Sequence, residues 1–316
     1  MSLGATAADA ANAFPHRHVS EIPMNVRTAL REAIVRLESE SVPSAALAAE
    51  LLLLHVTQRD RTWIYAHPES LLSGDQWQSY FALVARRAEG TPVQYLTGHQ
   101  EFWGLDFEVT PDVLIPRPET EHVVEVALAR SAARVIETLR IADVGTGSGC
   151  LAVTLAAEFP YARIFATDVS AAALSVARRN AAKHGVATRI EFLECNLLDA
   201  FLSEGAARTT APDLVFDLIV SNPPYVALAD AASLPREVRD HEPAAALFAG
   251  ESGLDVYAPL IRQAEKLLAP GGMLALELGH NAALHVDALL SSASWRDIAV
   301  VNDLAGVARV ASALRN

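Results

Sequence analysis

The stretch DVGTGSG, Asp143–Gly149, decides the fold because it lies where an apolar strand, LRIADV, turns into a helix that starts at about Leu151. Beyond it, ARIFATD is predicted as a strand, a helix runs from Ser170 to His184, and RIEFLE is the next strand. The strands LVFDLIV, GMLALEL, RDIAVVND and GVARVASAL continue the series, and several of them are nearly all apolar. This alternation predicts an α/β domain with a mostly parallel, doubly wound sheet that helices cover on both faces.

The glycine loop itself predicts a ligand site, because ligands of such sheets bind outside the carboxyl ends of the strands. Glycines let the backbone turn sharply and let a ligand approach closely. The dinucleotide pattern G-x-G-x-x-G, counted from Gly145, requires glycine or alanine at position 150, where this chain has Cys150. The pattern D-x-G-x-G-x-G favours S-adenosyl-L-methionine over NAD, although a purely structural turn would use the same glycines. The candidate cofactor contacts of the loop are Asp143, Gly145, Thr146, Gly147, Ser148 and Gly149.

The ends of the second and third strands carry further candidate cofactor contacts. Asp168 follows the glycines by about twenty residues, at the position where a carboxylate accepts hydrogen bonds from the ribose hydroxyls. The alternative is that Asp168 only precedes a helix cap at Ser170. In ECNLL, after the third strand, Asn196 and Leu197 offer a side chain and a backbone amide to an adenine edge.

The stretch SNPPYV, Ser221–Val226, follows the fourth strand and predicts a stiff, extended loop. Two consecutive prolines remove two backbone donors and fix two φ angles, so the chain has to leave the strand here. A rigid loop at the carboxyl end of a strand is suited to presenting Asn222 and Tyr225 to a ligand. The alternative is a strand-ending turn with a buried tyrosine.

The rest of the chain divides into segments of different character. Residues 1–24 are predicted as a mobile extension, and residues 25–90 as a small helical domain, with helices from Val26, after a cap at Ser44, and from Trp77. Residues 91–116 are aromatic and β-favouring, which predicts a β-hairpin connector to the domain 117–316. Residues 203–213 form a polar surface loop, and residues 226–252 are long enough for a functional flap.

Composition limits the possible functions of the chain. Its 316 residues are 51% hydrophobic and 20% charged, with no apolar run of transmembrane length and no signal peptide, so a cytoplasmic protein without membrane contact is expected. Cys150 and Cys195 are far apart, and no metal motif occurs, so no metal is expected. The formal net charge of −13 opposes attraction to nucleic acid.

These motifs together resemble the release factor glutamine methyltransferase family, known as PrmC or HemK, among the class I S-adenosylmethionine-dependent methyltransferases. The matching stretches are PVQYLTGHQEFWGLDFEV, LIPRPETE, DVGTGSG, SNPPYV, HEPAAALFAGESGLDVY, LELGH and DLAGVARV. The Asn-Pro-Pro-Tyr tetrapeptide is shared with adenine-methylating enzymes, but its combination with PRPETE and HEPAAAL is specific. The resemblance implies a Rossmann-like domain with a mostly parallel seven-stranded sheet.

The resemblance also implies an activity: N5-methylation of the glutamine in the Gly-Gly-Gln motif of peptide chain release factors, with S-adenosyl-L-methionine as the methyl donor and S-adenosyl-L-homocysteine as the product. From the architecture we expect the helical domain to dock the release factor, since the small methylated loop has to reach the cleft while the body of the substrate rests elsewhere, and we expect a monomer. The chain departs from the family pattern at two places. Asn196 stands where the family usually has an aspartate, and the terminal pattern DLAGRDRV of the family is DLAGVARV here. An asparagine at position 196 still offers hydrogen bonds to adenine.

Carried onto this chain, the resemblance gives catalytic roles to residues of the SNPPYV stretch. The side-chain oxygen of Asn222, itself also beside the cofactor, and the carbonyl of Pro223 would hold the two N–H hydrogens of the substrate amide. Pro224 would stiffen this substrate site, and Tyr225 would pack against the flat amide. Phe102 is the candidate for the opposite wall, with packing of the connector as the alternative. Three further candidates are Arg117 and Glu119, which would order a lid over the cofactor or instead form a plain salt bridge or helix cap, and Glu242, which would brace the flap.

Three other functions remain open from the sequence. A nucleic-acid adenine-N6 methyltransferase would hold a flipped base with the same tetrapeptide, but it normally adds a basic groove or recognition domain. A ribosomal-protein glutamine methyltransferase would share the chemistry. The third possibility is a cofactor-binding regulator without enzymatic activity, in which the Asn222 acceptor would have no role.

Overall fold

The computed structural model describes residues 24–131, 138–202 and 215–316. Nearly all of the predicted extension 1–24 and the predicted polar loop 203–213 lie outside these ranges. The chain divides into two compact units, Met1–Glu89 and Gly90–Asn316. Within the described ranges, no helix is long and apolar enough to cross a membrane.

The first unit is helical, as the sequence predicts, with helices α1 Val26–Ser39, α2 Ala45–Thr57, α3 Arg61–Ala66 and α4 Gly74–Ala88. The short α3 was not predicted; its start is fixed by Asp60, whose side chain accepts a hydrogen bond from the Trp63 N–H. The predicted cap at Ser44 is wrong, because Ser44 adopts a left-handed conformation and its side chain caps nothing. Helix α4 begins before the predicted Trp77, since Ser73 and Gln76 form a reciprocal capping box there.

The second unit opens with a short helix, α5 Val93–Thr97, and the β-hairpin of β1 His99–Phe102 and β2 Leu105–Glu108. The sequence predicted the hairpin but not α5. Trp103 and Gly104 connect the strands with φ angles of +55° and +70°, the conformation that two-residue hairpin turns require.

The main sheet of this unit has seven strands in the order β5-β4-β3-β6-β7-β9-β8. The first five of these are parallel, and β9 runs antiparallel to both of its neighbours. The elements after the hairpin are α6 Glu121–Ser131, β3 Arg140–Val144, α7 Cys150–Glu158, β4 Arg163–Asp168, α8 Ala171–Lys183, β5 Ile190–Glu194, α9 Asp199–Leu202, β6 Phe216–Ser221, α10 Arg236–His241, α11 Ala244–Leu247, α12 Tyr257–Leu267, β7 Leu268–Glu277, α13 Ala283–Leu290, β8 Trp295–Asn302 and β9 Ala308–Arg315.

Both faces of the sheet are buried, which explains why its central strands are nearly all apolar. One core cluster contains Ile141, Leu218 and Val220, and the other contains their strand neighbours Ala142 and Ile219. The predicted α/β class and mostly parallel sheet are therefore confirmed.

The strand order reverses between β3 and β6, and this switch point brings two of the predicted loops together. Val144 pairs with Ser221 at the last register position, and the Ser221 hydroxyl donates to the Val144 carbonyl at 2.7 Å. The glycine loop leaves from one of these ends and the Asn-Pro-Pro-Tyr loop from the other. Ligands of open α/β sheets bind at such a crevice.

Candidate active site

The glycine loop turns on three glycines that adopt positive φ angles: 72° at Gly145, 54° at Gly147 and 83° at Gly149. A Cβ atom added to Gly145 or Gly147 would enter open space, whereas at Gly149 it would lie 3.0 Å from the Cβ of Ala177 in α8. The first two glycines therefore leave room for a ligand, and the third allows a helix to pack closely against the loop.

Asp143 holds the glycine loop from below rather than facing a ligand. It is 1% exposed, and its Oδ2 accepts hydrogen bonds from the Thr146 hydroxyl at 2.6 Å and from the Ala152 N–H at 3.0 Å. Burial raises the pKa of Asp143 to about 7, and these two hydrogen bonds oppose the rise. The predicted contacts Thr146 and Ser148 are buried as well, so they shape the loop together with Asp143.

Asp168 at the end of β4 lies at the mouth of this loop. Its Oδ2 accepts a hydrogen bond from the Gly147 N–H at 2.9 Å, and its Oδ1 accepts one from the Ser170 N–H at 2.9 Å. Ser170 does cap α8, since its hydroxyl oxygen accepts from the Ala173 N–H at 3.1 Å. The two interpretations of Asp168 are thus compatible: it precedes a cap and also lines a cavity.

Asn196 and Leu197, at the end of β5, line the same cavity. Leu197 has a φ of +48°, a left-handed conformation that a leucine rarely adopts and that is common at ligand sites. The Asn196 amide nitrogen donates to the Asp199 carboxylate at 3.4 Å, which leaves the Asn196 carbonyl oxygen as the group offered to a ligand. This oxygen accepts hydrogen bonds as the usual aspartate would.

The cavity has a volume of about 350 Å³. Its lining comes from the glycine loop, from the ends of β4 and β5, from the segment before α6 and from the flap, and it includes Gly145, Gly147, Asp168, Asn196, Leu197, Asn222, Pro224, Leu114, Pro243 and Ala246. The Asp168 carboxylate, the amides of Asn196 and Asn222 and two bare glycine backbones face a largely apolar space. This combination suits a ligand with hydroxyl and amine donors and flat apolar parts.

A second cavity of about 270 Å³ adjoins the first. Asn222, Leu114 and Ala246 line both, and the second is further lined by Arg117, Pro223, Tyr225, Val226, Leu234, Val238 and Leu247. The Asn222 side chain therefore stands where the two cavities meet. Its Nδ2 donates to the Thr120 hydroxyl oxygen at 2.9 Å, so its carbonyl oxygen is the atom left to accept from a ligand.

Tyr225 is fixed on the wall of the second cavity. Its hydroxyl donates to Glu277 Oε1 at 3.1 Å, and burial raises its pKa. A Cβ on Gly279 would come within 2.8 Å of the Tyr225 side chain, so a glycine is needed there for the ring to occupy this position.

Arg117 and Glu242 join the segment before α6 to the flap. The Arg117 guanidinium donates to Glu242 Oε1, and the Ile115 N–H donates to Oε2 at 3.2 Å. Burial raises the pKa of Glu242, and the neighbouring Arg117 opposes this. Glu242 thus braces the flap, and Arg117 forms a salt bridge with it. Glu119 instead lies 3.7 Å from Arg309.

Phe102 does not line either of the two cavities. It is 1% exposed and packs edge-to-face on Phe107 of the hairpin, in the core cluster shared with α6 and α7. An alternating strand points successive side chains to opposite faces, and Phe102 faces the core. These contacts favour packing of the connector, and Phe102 as a wall of the substrate site stays a prediction.

Two site residues were missed by the sequence analysis: Thr120 of PRPETE and Glu277 of LELGH. Thr120 is 1% exposed beneath Asn222, and Glu277 is 2% exposed beneath Tyr225. The one signal available was Glu277 itself, since a charged residue at the end of an all-apolar strand has to find buried partners.

The sheet order, the glycine loop and the adjoining Asn-Pro-Pro-Tyr loop define an enzyme of the Rossmann-like methyltransferase class. Residues 28–98 match the family model described as PrmC N-terminal domain, and residues 128–235 match the methyltransferase small domain. The catalytic domain of hMettl16, solved in complex with MAT2A 3'UTR hairpin 6, shares the fold with a TM-score of 0.52 and 17% identity, over 73% of this chain and 81% of that chain.

Curated relatives specify the family further. The release factor glutamine methyltransferase of Koribacter versatilis is 42% identical over 91% of this chain and 97% of its own length. That of Chlorobaculum tepidum is 43% identical over 87% of this chain and 92% of its own length. The chain belongs to the release factor glutamine methyltransferase family.

Proposed function

We propose that the protein methylates the side-chain amide nitrogen of the glutamine in the Gly-Gly-Gln motif of peptide chain release factors, with S-adenosyl-L-methionine as the methyl donor. The observation that carries this proposal is the position of Asn222 between two adjoining cavities. One cavity suits a nucleoside with an amino-acid arm, and the other is small and walled by Tyr225 and Pro223. The family relationship supports the choice of substrate.

The residues present in the larger cavity fit S-adenosyl-L-methionine. The open space in front of Gly145 and Gly147 admits a ligand to the loop backbone. The Asp168 carboxylate would accept from ribose hydroxyls, and the Asn196 oxygen with the Leu197 backbone would meet the adenine edge. When bound, the cofactor supplies a methyl group on a positively charged sulfur, which leaves as a neutral thioether.

The residues of the Asn222 loop would prepare the amide nitrogen. Its lone pair is delocalised into the carbonyl, as in the peptide bond, so it is a poor nucleophile. The Asn222 carbonyl oxygen and the Pro223 carbonyl would accept its two N–H hydrogens, which orients the nitrogen and favours a pyramidal geometry. Transfer forms the nitrogen–carbon bond as the carbon–sulfur bond breaks, and the extra amide proton then leaves to water. Alignment of this kind can save about 7–11 kcal/mol.

The rest of the chain would serve the protein substrate. We propose that the helical unit docks the body of the release factor, while Tyr225 and Pro224 receive the methylated loop. A variant that lacks residues 1–89 should then bind cofactor normally but methylate whole release factor poorly; equal loss of both would argue against docking. We further propose a cytoplasmic monomer that does not bind nucleic acid directly.

The decisive experiment incubates the purified protein with isotopically labelled S-adenosyl-L-methionine and a release factor, and locates the label by mass spectrometry. We expect one methyl group on the glutamine of Gly-Gly-Gln. A release factor in which that glutamine is replaced by alanine is the control. Labelling of a ribosomal protein or of nucleic-acid adenine, with none on the release factor, would contradict the proposal.

A further inference from the structure

A buried carboxyl, that of Glu277, lies behind the Asn222 loop and is absent from the lining of both cavities. Glu277 ends β7, next to the strand that carries Asn222. Its Oε1 accepts the Tyr225 hydroxyl at 3.1 Å, and Thr120 lowers its pKa. The mechanism proposed above leaves Glu277 without a direct role in the chemistry.

Thr120 holds the side chain of Asn222 by a hydrogen bond. A threonine hydroxyl has one hydrogen to donate and lone pairs to accept with. The Thr120 hydroxyl oxygen accepts from the Asn222 Nδ2 at 2.9 Å. The direction of this bond turns the asparagine amide so that its nitrogen faces inward and its oxygen faces the cavities.

The surroundings of the Glu277 carboxyl do not favour the stability of the fold. Burial raises its pKa to about 7; Thr120 and Tyr225 oppose the rise by hydrogen bonding, Glu119 adds to it and Arg309 lowers it. Its Oε2 is buried without a hydrogen-bond partner among the residues that the structure describes. An incompletely paired buried carboxyl destabilises a fold, so a hydrophobic residue would serve packing better.

We propose that Thr120 and Glu277 are positioning residues, which set the Asn222 carbonyl oxygen and the Tyr225 ring toward the substrate amide. The inference rests on the proposed function for the identity of the substrate, but the geometry it asserts is a property of the protein alone. Thr120 fixes the Asn222 side chain, and Glu277 fixes the Tyr225 side chain. Gly279 contributes by leaving the space that the Tyr225 ring occupies.

The test compares Thr120→Val, which keeps the shape but removes the hydroxyl, with Thr120→Ser, which keeps the hydroxyl. We expect Thr120→Val to lower kcat tenfold to a hundredfold, since a misplacement of about 1 Å can cost about a hundredfold in rate. KM for the release factor and the cofactor Kd should change little, and Thr120→Ser should retain most of kcat. The matched control is Thr154→Val, which removes a fully buried hydroxyl of α7 that has no partner among the described residues.

A second measurement follows the Asn222 amide itself, without substrate. In isotope-labelled protein, its side-chain amide resonances are identified by their absence in Asn222→Ala. We expect them to have the shifts of a hydrogen-bonded amide in the wild type and in Thr120→Ser, and those of a free amide in Thr120→Val.

Several results would overturn the inference. These are an unchanged kcat in Thr120→Val, an equal loss in Thr120→Ser, or amide resonances that do not respond to removal of the hydroxyl. If the wild type itself leaves release factor unmodified, the proposed function fails, and the resonance measurement still decides whether the positioning network exists.

Discussion

The two loops at the switch point are built in different ways, although each rests on a buried carboxyl. The glycine loop is held by Asp143, whose partners Thr146 and Ala152 are three and nine residues away in the chain. The Asn222 loop is held from a distance: Asn222 is separated from Thr120 by 102 residues, and Tyr225 from Glu277 by 52. One loop is a local structure, and the other is assembled by the fold.

Because of this difference, we expect the two loops to contribute to different steps, cofactor binding and methyl transfer. The local loop offers backbone and open space to a cofactor, and few distant contacts affect it. The assembled loop presents side-chain and backbone oxygens. Their placement depends on three separate segments, namely the loop itself, the segment that contains Thr120 and the end of β7 at Glu277. Changes in the first loop should therefore alter cofactor affinity, and changes in the second should alter the rate of transfer.

The largest expected effect comes from Asn222→Ala. Removing the acceptor that orients the amide should lower kcat by about a hundredfold to a thousandfold, the cost of losing one preorganised polar group. The cofactor Kd, measured by calorimetry, should stay close to that of the wild type. Asn302→Ala, an exposed asparagine at the end of β8, is the control. A large loss of cofactor affinity with an unchanged kcat would erase the distinction between the loops.

The next effect is on the pH dependence of the free energy of unfolding, to which Glu277 contributes. Its pKa is raised from 4.5 to about 7, so between these values the folded protein binds more protons than the unfolded chain. The free energy of unfolding therefore falls as the pH rises through this window, by roughly 3 kcal/mol for this group. Glu277→Gln should remove that part of the fall, as measured by urea unfolding at several pH values.

The pKa of Asp143 is also raised to about 7, so the free energy of unfolding of Glu277→Gln should still fall with rising pH because of Asp143. The control is Glu125→Gln, an exposed residue of α6 that should leave the pH dependence unchanged. If the free energy of unfolding depends on pH in Glu277→Gln as it does in the wild type, the Glu277 carboxyl does not contribute to that dependence.

A smaller effect is expected from Gly147→Ala. The added methyl group enters the space in front of the loop, and one such group is worth about tenfold to a hundredfold in binding where it displaces a ligand. The cofactor Kd should rise accordingly, while kcat at saturating cofactor should change little. Gly185→Ala is the matched control, because Gly185 has a similar φ of +69° and open space beside it but does not line the cavity. Equal losses of affinity in both variants would point to backbone strain instead.

The smallest effect is expected from Asp199→Ala. Asp199 accepts hydrogen bonds from the Asn196 amide at 3.4 Å and from the Gln263 amide at 2.8 Å, and Gln263 in turn accepts from the Leu198 N–H. Loss of this support should weaken cofactor binding about threefold to tenfold, the worth of a single hydrogen bond. Asp287→Ala, on an exposed position of α13, serves as the control. A wild-type Kd in Asp199→Ala would mean that Asn196 needs no orientation.

The sequence predicted most of the sheet because each central strand is apolar on both faces, which few other structures allow. It also predicted the hairpin, whose aromatic run is bounded by glycines. The errors fell where the pattern was short: the brief helices α3 and α5 and the absent cap at Ser44. The aromatic ring of Phe102 fits a pocket wall as well as it fits a core, and sequence spacing cannot tell these two surroundings apart.

By itself, the sequence determined that this chain forms a doubly wound sheet with a glycine loop at its switch point, because strand hydrophobicity and glycine spacing are local properties. Only the tertiary structure decided which atom of Asn222 faces the cavities. That choice depends on Thr120, which reaches the loop from a distant segment, and hydrogen bonds between distant segments exist only after the chain has folded.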